Sequence, residues 1–211
     1  GFATGIAVAD KVLAEKHLKT IVLIGDGGSM IGLLHIVNAA LMNTDLTVIV
    51  ANNFLFGMTG GQQSSLTPEH FVTITTPFGS MNPPLDICKI AEASKGGFIA
   101  RKTSTDKDLT DIMARAISHD GFAFIEVLEL CTEHGTKRND LKGNMLAKLA
   151  EAEGHMTGIL KESNERPEFS RKYAEAVESH VGEMKPQKYI IPTNGHNLKH
   201  PVGIIISGSA G

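Results

Sequence analysis

The feature that most constrains the fold is a continuous apolar, β-branched run that stops abruptly in glycines. Residues 20–24 (TIVLI) are followed by GDGG at 25–28, and helical spacing of apolar residues precedes the run over 3–18 and resumes over 29–42. Residues 46–51 form a second apolar run. Short apolar runs without alternation are typical of strands buried on both faces, as in parallel sheets. The segment therefore predicts a strand–turn–helix–strand unit.

The alternation of strands and helices continues after a long loop. Residues 52–84 are rich in glycine and proline and have little periodicity, and loops of this length inside a compact domain are usually functional. Apolar spacing then predicts helices over 85–95 and 106–119 and strands over 97–102 and 122–128. Alternating elements with short connections predict an α/β fold, a parallel sheet with helices on both faces.

The composition divides the chain into three parts. Residues 1–139 carry the alternating pattern, which predicts one domain. Residues 140–184 are rich in Lys, Glu, Ala and Met and have no strand pattern, so we expect a helical extension there. We expect residues 185–211 to be a linker and the start of a further nucleotide-fold domain, with a last strand within 202–211. Because the sequence opens on glycine inside a helical pattern, we also expect a piece of a longer polypeptide.

Composition and charge argue against several classes of function. The formal net charge is −3, so there is no basic field to hold nucleic acid or an anionic membrane. The apolar runs are far shorter than the roughly 20 residues that span a bilayer. Two cysteines cannot form a disulfide framework, which favours a reduced, cytoplasmic setting.

Two strand ends carry side chains that suit a diphosphate and a cation. Ligands of open parallel sheets bind beyond the carboxyl ends of the strands, here at Asp26 in the GDGG turn and at Asn53 after the second run. Glycines let the backbone approach a ligand, and the following helix offers free N–H groups to a diphosphate. Asp26, Asn53 and a carbonyl near Leu55 would supply the oxygen ligands that Mg²⁺ prefers.

Simpler interpretations remain open for each of these residues. Asp26 is also explained as a turn residue that hydrogen-bonds its own backbone, and Asn53 as a strand cap. A single Gly-Asp-Gly turn is common in α/β proteins. The metal interpretation is favoured because one helix and one strand fill the interval between Asp26 and Asn53. For Cys131 the residues leave a choice between a cluster ligand and a plain thiol, whereas Cys88 is expected in the core of a helix.

The sequence from residue 25 to residue 68 resembles a known family. It reads GDGGSMIGLLHIVNAALMNTDLTVIVANNFLFGMTGGQQSSLTP and closely resembles the thiamine-diphosphate-binding beta subunit of 2-oxoacid:ferredoxin oxidoreductases. The likeness covers about 3–139 and includes TPFG at 76–79, PPLDIC at 83–88, FIEV at 124–127, CT at 131–132 and KRN at 137–139. The GMTGGQ form with a following Thr-Pro is nearer to the 2-oxoglutarate branch than to the pyruvate branch.

The resemblance implies roles for particular residues. Asp26 and Asn53 match the side-chain ligands of Mg²⁺, and Leu55 matches the position that gives its carbonyl. Cys131 matches one cysteine ligand of a 4Fe-4S cluster, whose other ligands lie outside this chain segment. Five further positions match those that line the cofactor's diphosphate: Gly25, Gly27, Gly28, Met58 and Thr59. With the three Mg²⁺ ligands they make up the predicted cofactor site.

The resemblance also implies an activity and partners. The activity is the oxidative decarboxylation of a 2-oxoacid, most closely 2-oxoglutarate, to an acyl-CoA, with electrons passed to ferredoxin. The partners are an alpha subunit, which supplies the activating glutamate, and gamma or delta subunits of the same hetero-oligomer. No residue here is assigned as a general acid or base. Two alternatives are a thiamine-diphosphate-dependent lyase or synthase without electron transfer, and a non-catalytic assembly subunit that kept the nucleotide fold.

The sequence departs from the family pattern at three places. Phe56 stands where tyrosine is more usual, and one residue is missing between Gly28 and Ile31 relative to many members. The segment 202–211 is faintly similar to the opening strand of the family's gamma subunit, which implies a fused arrangement.

Overall fold

The structure is a computed structural model that describes residues 1–13, 17–181 and 204–206. The elements in chain order are α1 (Phe2–Leu13), β1 (Thr20–Gly25), α2 (Asp26–Ile31), α3 (Leu33–Met42), β2 (Leu46–Asn52), β3 (Leu55–Phe56), β4 (Gln62–Gln63), α4 (Ile87–Ala93), β5 (Phe98–Thr103), α5 (Leu109–Ser118), β6 (Ala123–Leu128), α6 (Thr136–Asn139), a 3₁₀ helix (Gly143–Met145), α7 (Leu146–Ala152), β7 (Gly158–Glu162), α8 (Phe169–Val181) and β8 (Ile204–Ile206). No helix among these residues is long and apolar enough to cross a membrane.

A mostly parallel sheet of six strands forms the centre of the fold. Its order is β7–β5–β6–β2–β1–β8, and every neighbouring pair is parallel except β5 with β7. Gly25 pairs with Ala51, and Asn52 pairs with Leu128, so β1, β2 and β6 end side by side at one edge. The predicted α/β fold is confirmed.

Helices cover both faces of the sheet, as the alternating pattern predicts. Val48 and Val50 of β2 pack into a core with α3 and α4, while Ile49 between them packs on the other face with α5. All of β6 is buried, as fits a central parallel strand. β1 is less buried than predicted, since Leu23 is 43% exposed. Its outer neighbour is the three-residue edge strand β8, so this side of the sheet is less enclosed.

The prediction that the extension after residue 139 contains no strand is wrong. β7 lies within it and pairs antiparallel with β5, with Phe98 opposite Glu162. Its sequence, GILKE, has only two apolar residues and it pairs on one side, which leaves little periodicity to detect. Helices α7 and α8 within the extension agree with the rest of the prediction.

The predicted strand at the end of the chain is described only in part. Ile204–Ile206 adds to the sheet beside β1, while the linker and the remainder of 185–211 lie outside the described residues. The opening of a further domain there stays a prediction.

Polar contacts attach the extension to the sheet layers. The Arg166 guanidinium donates to the carbonyl oxygens of Ala40, at 3.2 Å, and Lys95, at 2.7 Å. Asn43 adopts a left-handed conformation after α3, and its side chain bonds both the Arg166 carbonyl, at 2.9 Å, and the Phe122 N–H, at 3.1 Å. Carbonyl groups near helix ends have few intrahelical partners, and Arg166 adds a donor to two such groups, after α4 at Lys95 and in the last turn of α3 at Ala40.

A buried ion cluster joins β5 and β6 near the edge of the sheet where β1, β2 and β6 end. Arg101 lies opposite Glu126 in the strand register, and only 1% of its surface is exposed. Its Nε is 2.6 Å from Glu126 Oε2, and its Nη2 is 2.5 Å from Asp86 Oδ1. Each buried charge therefore has an opposite charge in contact, which is the condition under which buried charges are tolerated.

Replacing Arg101 tests this cluster. Arg101→Met would leave the Glu126 carboxylate buried without its cation, and removing one partner of a buried pair costs about 3–5 kcal/mol. We expect that loss in the free energy of unfolding, measured by urea denaturation. Arg171→Met is the control: its contact with Asp120, at 2.9 Å, is at the surface, where a pair contributes about 0–1 kcal/mol. Equal losses in the two variants would contradict the assignment.

Candidate functional site

The ends of β1 and β2 bring the two predicted metal ligands to neighbouring positions. Asp26 directly follows β1 and is the first residue of α2, while Asn53 directly follows β2. Because Gly25 pairs with Ala51 in parallel register, both side chains lie at the same edge of the sheet. The helix predicted to begin at residue 29 starts three residues earlier and is interrupted at Gly32, so Asp26 occupies a helix N-terminus.

The Asp26 carboxylate is buried and incompletely paired. The residue is 4% exposed, and its Oδ2 atom has no hydrogen-bond partner. Burial raises the pKa of Asp26 to about 6; the Ser64 hydroxyl and the Gly27 N–H act to lower it, and the negative charge of Glu129 adds to the rise. A buried carboxylate in this condition is costly unless a cation binds it.

The Asn53 side chain presents a second unpaired oxygen. Its Oδ1 atom is buried and has no hydrogen-bond partner. The amide forms a hydrogen bond with the Glu129 carboxylate. The pKa of Glu129 is raised overall, because burial raises it more than this hydrogen bond lowers it. In the described part of the chain, four buried side-chain polar atoms lack partners, and two of them belong to Asp26 and Asn53.

These donors fit a hard divalent cation. One carboxylate oxygen and one amide oxygen lie at adjacent strand ends, and Leu55, two residues after Asn53, begins the short strand β3. Mg²⁺ takes oxygen ligands of this kind, commonly one or two carboxylates together with phosphate oxygens. No group of three or more His, Cys, Asp or Glu side chains within the described ranges could hold a metal. The predicted ligand set contains only one such residue, so it would not form such a group.

Only one of the three predicted glycines is required by steric fit. A Cβ atom on Gly27 would lie 2.5 Å from the ring of Phe56, so that ring packs directly on the glycine. Gly25 and Gly28 would meet nothing closer than 3.9 Å and 3.6 Å. The first N–H groups of α2 lack intrahelical partners because of their position; the Gly27 N–H contacts the Asp26 carboxylate, and the Gly28 N–H is the one left for an anion. Phe56 makes its contact with Gly27 through the ring, without the hydroxyl of the more usual tyrosine.

The GMTGG segment forms the tip of a hairpin between β3 and β4. Leu55 pairs with Gln63, and Gly60 has a φ of 113°, which favours glycine. Met58 is 88% exposed, and Thr59 is also exposed, with its Oγ1 atom 2.6 Å from Gln62 Oε1. The structure does not bury these two side chains with Asp26, so their role at the diphosphate stays a prediction.

Cys131 lies on the same edge of the sheet as the candidate metal site. It follows the end of β6 by three residues, and its Sγ atom accepts a hydrogen bond from the His134 N–H at 3.3 Å. A Cβ atom on Gly57 would lie 3.7 Å from Asn53 Nδ2 and 3.9 Å from Cys131 Sγ. Gly57 therefore separates the thiol from the predicted ligand Asn53.

Cys131 alone does not fit an iron–sulfur cluster. Such clusters are usually held by four thiolates, and the other cysteine, Cys88, is fully buried in α4. Burial raises the pKa of the Cys88 thiol, and so does the neighbouring Glu126 charge, which fits the predicted core role. A cluster at Cys131 would need its other ligands from outside the described residues.

Sequence reasoning missed two residues of the site. Ser64 contacts Asp26, and Glu129 contacts Asn53. Glu129 had a detectable signal, because it follows the strand predicted over 122–128, which ends at the same edge of a parallel sheet. Ser64 had none, since its position depends on the path of a loop without periodicity.

Comparison with known proteins identifies the family of this chain. Residues 1–127 match the family model described as thiamine pyrophosphate enzyme, C-terminal TPP binding domain. The chain belongs to this family. Within it, the chain is 40% identical over 135 residues to the 2-oxoglutarate synthase subunit KorB of Archaeoglobus fulgidus, a match that covers 63% of this chain and 49% of that protein.

A second relative supports the same branch of thiamine pyrophosphate enzymes. The chain is 39% identical over 132 residues to the 2-oxoacid:ferredoxin oxidoreductase subunit beta of Saccharolobus solfataricus, covering 62% of this chain and 42% of that protein. The predicted resemblance to these beta subunits is confirmed. The chain spans about half the length of the curated relatives it matches.

A solved structure shares the fold. The 2-oxoglutarate:ferredoxin oxidoreductase from Magnetococcus marinus, with 2-oxoglutarate, coenzyme A and succinyl-CoA bound, aligns with a TM-score of 0.67 and 23% sequence identity. The alignment covers 89% of this chain and 69% of that chain. It confirms the predicted fold class.

The raised pKa of Asp26 predicts how stability depends on pH. Because the folded state holds this proton up to a pH of about 6 and the unfolded chain releases it near 3.8, ionisation costs stability as pH rises through that interval. Asp26→Asn should therefore stabilise the metal-free protein at pH 7 by about 1–3 kcal/mol, and the gain should shrink towards pH 4.

Urea denaturation in the presence of a chelator measures this difference. Asp120→Asn, at an exposed position, is the control and should change stability by less than about 0.5 kcal/mol. A loss of stability in Asp26→Asn at pH 7 would contradict the prediction.

Proposed function

We propose that this chain is the thiamine-diphosphate-binding part of a 2-oxoacid:ferredoxin oxidoreductase beta subunit. The complex would oxidatively decarboxylate a 2-oxoacid, with 2-oxoglutarate as the first candidate, to an acyl-CoA and pass the electrons to ferredoxin. The observation that carries the proposal is the pair of buried, unpartnered oxygens on Asp26 and Asn53 in a chain of the thiamine pyrophosphate family. The names of the relatives support the substrate class and the acceptor.

The residues of this chain bind and orient the cofactor. Asp26 and Asn53 hold Mg²⁺ through their side chains, and Leu55 gives its carbonyl. At the positive end of α2, the Gly28 N–H would donate to a diphosphate oxygen, and Gly25 and Gly27 would line the same turn. When bound, thiamine diphosphate supplies the carbanion-stabilising chemistry. This chain contributes no assigned acid or base, and the alpha subunit activates the other end of the cofactor.

The proposal includes the setting in which the chain acts. An alpha subunit and ferredoxin are required partners, with gamma or delta subunits in the same complex. Residues 1–139 form the cofactor-binding domain, and the extension after residue 139 adds β7 to its sheet. A chain with only two cysteines suits a reduced, cytoplasmic setting.

Substitution of the metal ligands tests cofactor binding. Asp26→Ala and Asn53→Ala each remove one oxygen ligand, so each should weaken binding of thiamine diphosphate at least about ten-fold, or about 1.4 kcal/mol. Isothermal titration with thiamine diphosphate and Mg²⁺ measures the affinity of the purified protein. Asp120→Ala is the matched control and should bind normally. Normal affinity in both ligand variants would show that the metal assignment is wrong.

Iron content tests the role of Cys131. In the purified complex, Cys131→Ser should lower the iron by about one cluster, or roughly four iron atoms, per beta subunit, while thiamine diphosphate binding persists. Iron analysis and electron paramagnetic resonance measure the loss, and Cys88→Ser is the control. Unchanged iron would leave Cys131 as an ordinary thiol. A parent protein that binds thiamine diphosphate without iron–sulfur absorption would instead favour the lyase or synthase alternative.

A further inference from the structure

The two consecutive asparagines at the end of β2 have different surroundings. Successive side chains of a strand point to opposite faces, and Asn52 is 2% exposed. Its Nδ2 group donates to Glu126 Oε1 at 2.8 Å, and its Oδ1 atom accepts the Phe54 N–H at 2.9 Å. Asn53 Oδ1 has no partner. Asn52 therefore makes protein contacts, whereas Asn53 presents an oxygen that the protein does not use.

The backbone directly after Asn53 adopts an unfavourable conformation. Phe54 has a φ of 72°, a left-handed value that costs a residue with a side chain about 1–2 kcal/mol. Such conformations persist only where the surroundings impose them, and they concentrate at functional sites. This residue turns the chain between Asn53 and Leu55, so its conformation sets how the two predicted ligands lie relative to each other.

Three contacts impose the conformation of Phe54. Asn52 accepts its N–H. The Phe54 carbonyl accepts a hydrogen bond from the Thr67 hydroxyl at 2.5 Å. Its ring is 4% exposed and packs against Phe71, with ring centroids 5.9 Å apart. Of the three, the contact from Asn52 is the one made from β2 itself, immediately before the ligand Asn53.

Glu126 fixes the orientation of the Asn52 amide. The carboxylate is 2% exposed and is held on β6 by Arg101 Nε at 2.6 Å. A carboxylate accepts but does not donate, so the Nδ2 group of Asn52 must face it and Oδ1 must face the Phe54 N–H. The ion pair between β5 and β6 thereby determines the turn at the end of β2.

The same hydrogen-bonded path continues to the other metal ligand. The Thr67 hydroxyl, which donates to Phe54, accepts the Ser64 N–H at 2.9 Å. The Ser64 hydroxyl interacts with the Asp26 carboxylate. The two segments that carry the ligands are therefore connected through Asn52, Phe54, Thr67 and Ser64.

We propose that Asn52, anchored by Glu126, is a positioning residue that sets the turn carrying the metal ligands Asn53 and Leu55. This inference rests on the proposed Mg²⁺ and thiamine diphosphate site. Asn52 does not touch the metal in this scheme. It acts through the conformation of Phe54, and its loss should weaken metal binding beyond any effect on folding.

Mn²⁺ in the presence of saturating thiamine diphosphate is a suitable probe for the purified full-length protein. Asn52→Leu keeps a similar volume and removes both hydrogen bonds. We expect the Mn²⁺ dissociation constant to rise at least about ten-fold and the electron paramagnetic resonance line shape of the bound ion to change. Thermal unfolding in a chelator measures the accompanying loss of stability separately.

Asp86→Asn is the matched control. It weakens the same buried cluster at the Arg101 contact and leaves the Asn52 contacts in place. Its melting temperature should fall, while the Mn²⁺ dissociation constant should stay within about two-fold and the line shape should not change. If Asn52→Leu does not fold, Asn52→Ala replaces it, because that variant also removes both hydrogen bonds and places no charge beside Glu126; a raised Mn²⁺ dissociation constant is again expected.

Three results would overturn the proposal. The first is an unchanged Mn²⁺ dissociation constant in a folded Asn52 variant. The second is a rise in the Mn²⁺ dissociation constant in both the Asn52 and the Asp86 variants, in the same proportion to their loss of stability. In both cases the proposed function would still stand if the parent protein binds Mn²⁺ with thiamine diphosphate and Asp26→Ala does not. The third is a parent protein that does not bind Mn²⁺ with thiamine diphosphate, which would overturn the proposed function as well.

Discussion

The geometry of the candidate site depends on the buried carboxylate of Glu126. It contacts Arg101 on β5, Asn52 on β2 and the thiol of Cys88 on α4, so it joins two neighbouring strands and a helix at the edge where ligands bind. A carboxylate in this position is tolerated because Arg101 supplies a positive charge in direct contact. The pairing is directional as well as favourable. It leaves one orientation for the Asn52 amide and therefore one path for the chain into the long loop.

The site couples binding to stability. Asp26 and Asn53 each bury an oxygen without a partner, and such atoms lower the stability of the folded chain. A cation that coordinates both oxygens would relieve that cost, so the bound form gains stability by mass action. Of the four buried side-chain polar atoms without a partner in the part of the chain that the structure describes, two lie at this one edge, where a bound cation would supply the missing partner.

Local patterns predicted the sheet and the placement of Asp26 and Asn53 at neighbouring strand ends, because parallel topology brings successive strand ends to one edge. Contacts that depend on an irregular path were not predictable. Ser64 reaches Asp26 through a loop without periodicity, and β7 pairs on one side with only two apolar residues. Arg101 is a charged residue inside a buried strand, and only the register with Glu126 explains it.

The contact between Gly27 and Phe56 also restricts how the sequence can diverge. Since a Cβ atom at position 27 would lie 2.5 Å from the ring at position 56, any larger residue at position 27 requires a smaller one, or a displaced ring, at position 56. A single substitution at position 27 would therefore displace the ring from its present place. This contact joins the GDGG turn to the long loop, although 29 positions separate the two residues in the sequence.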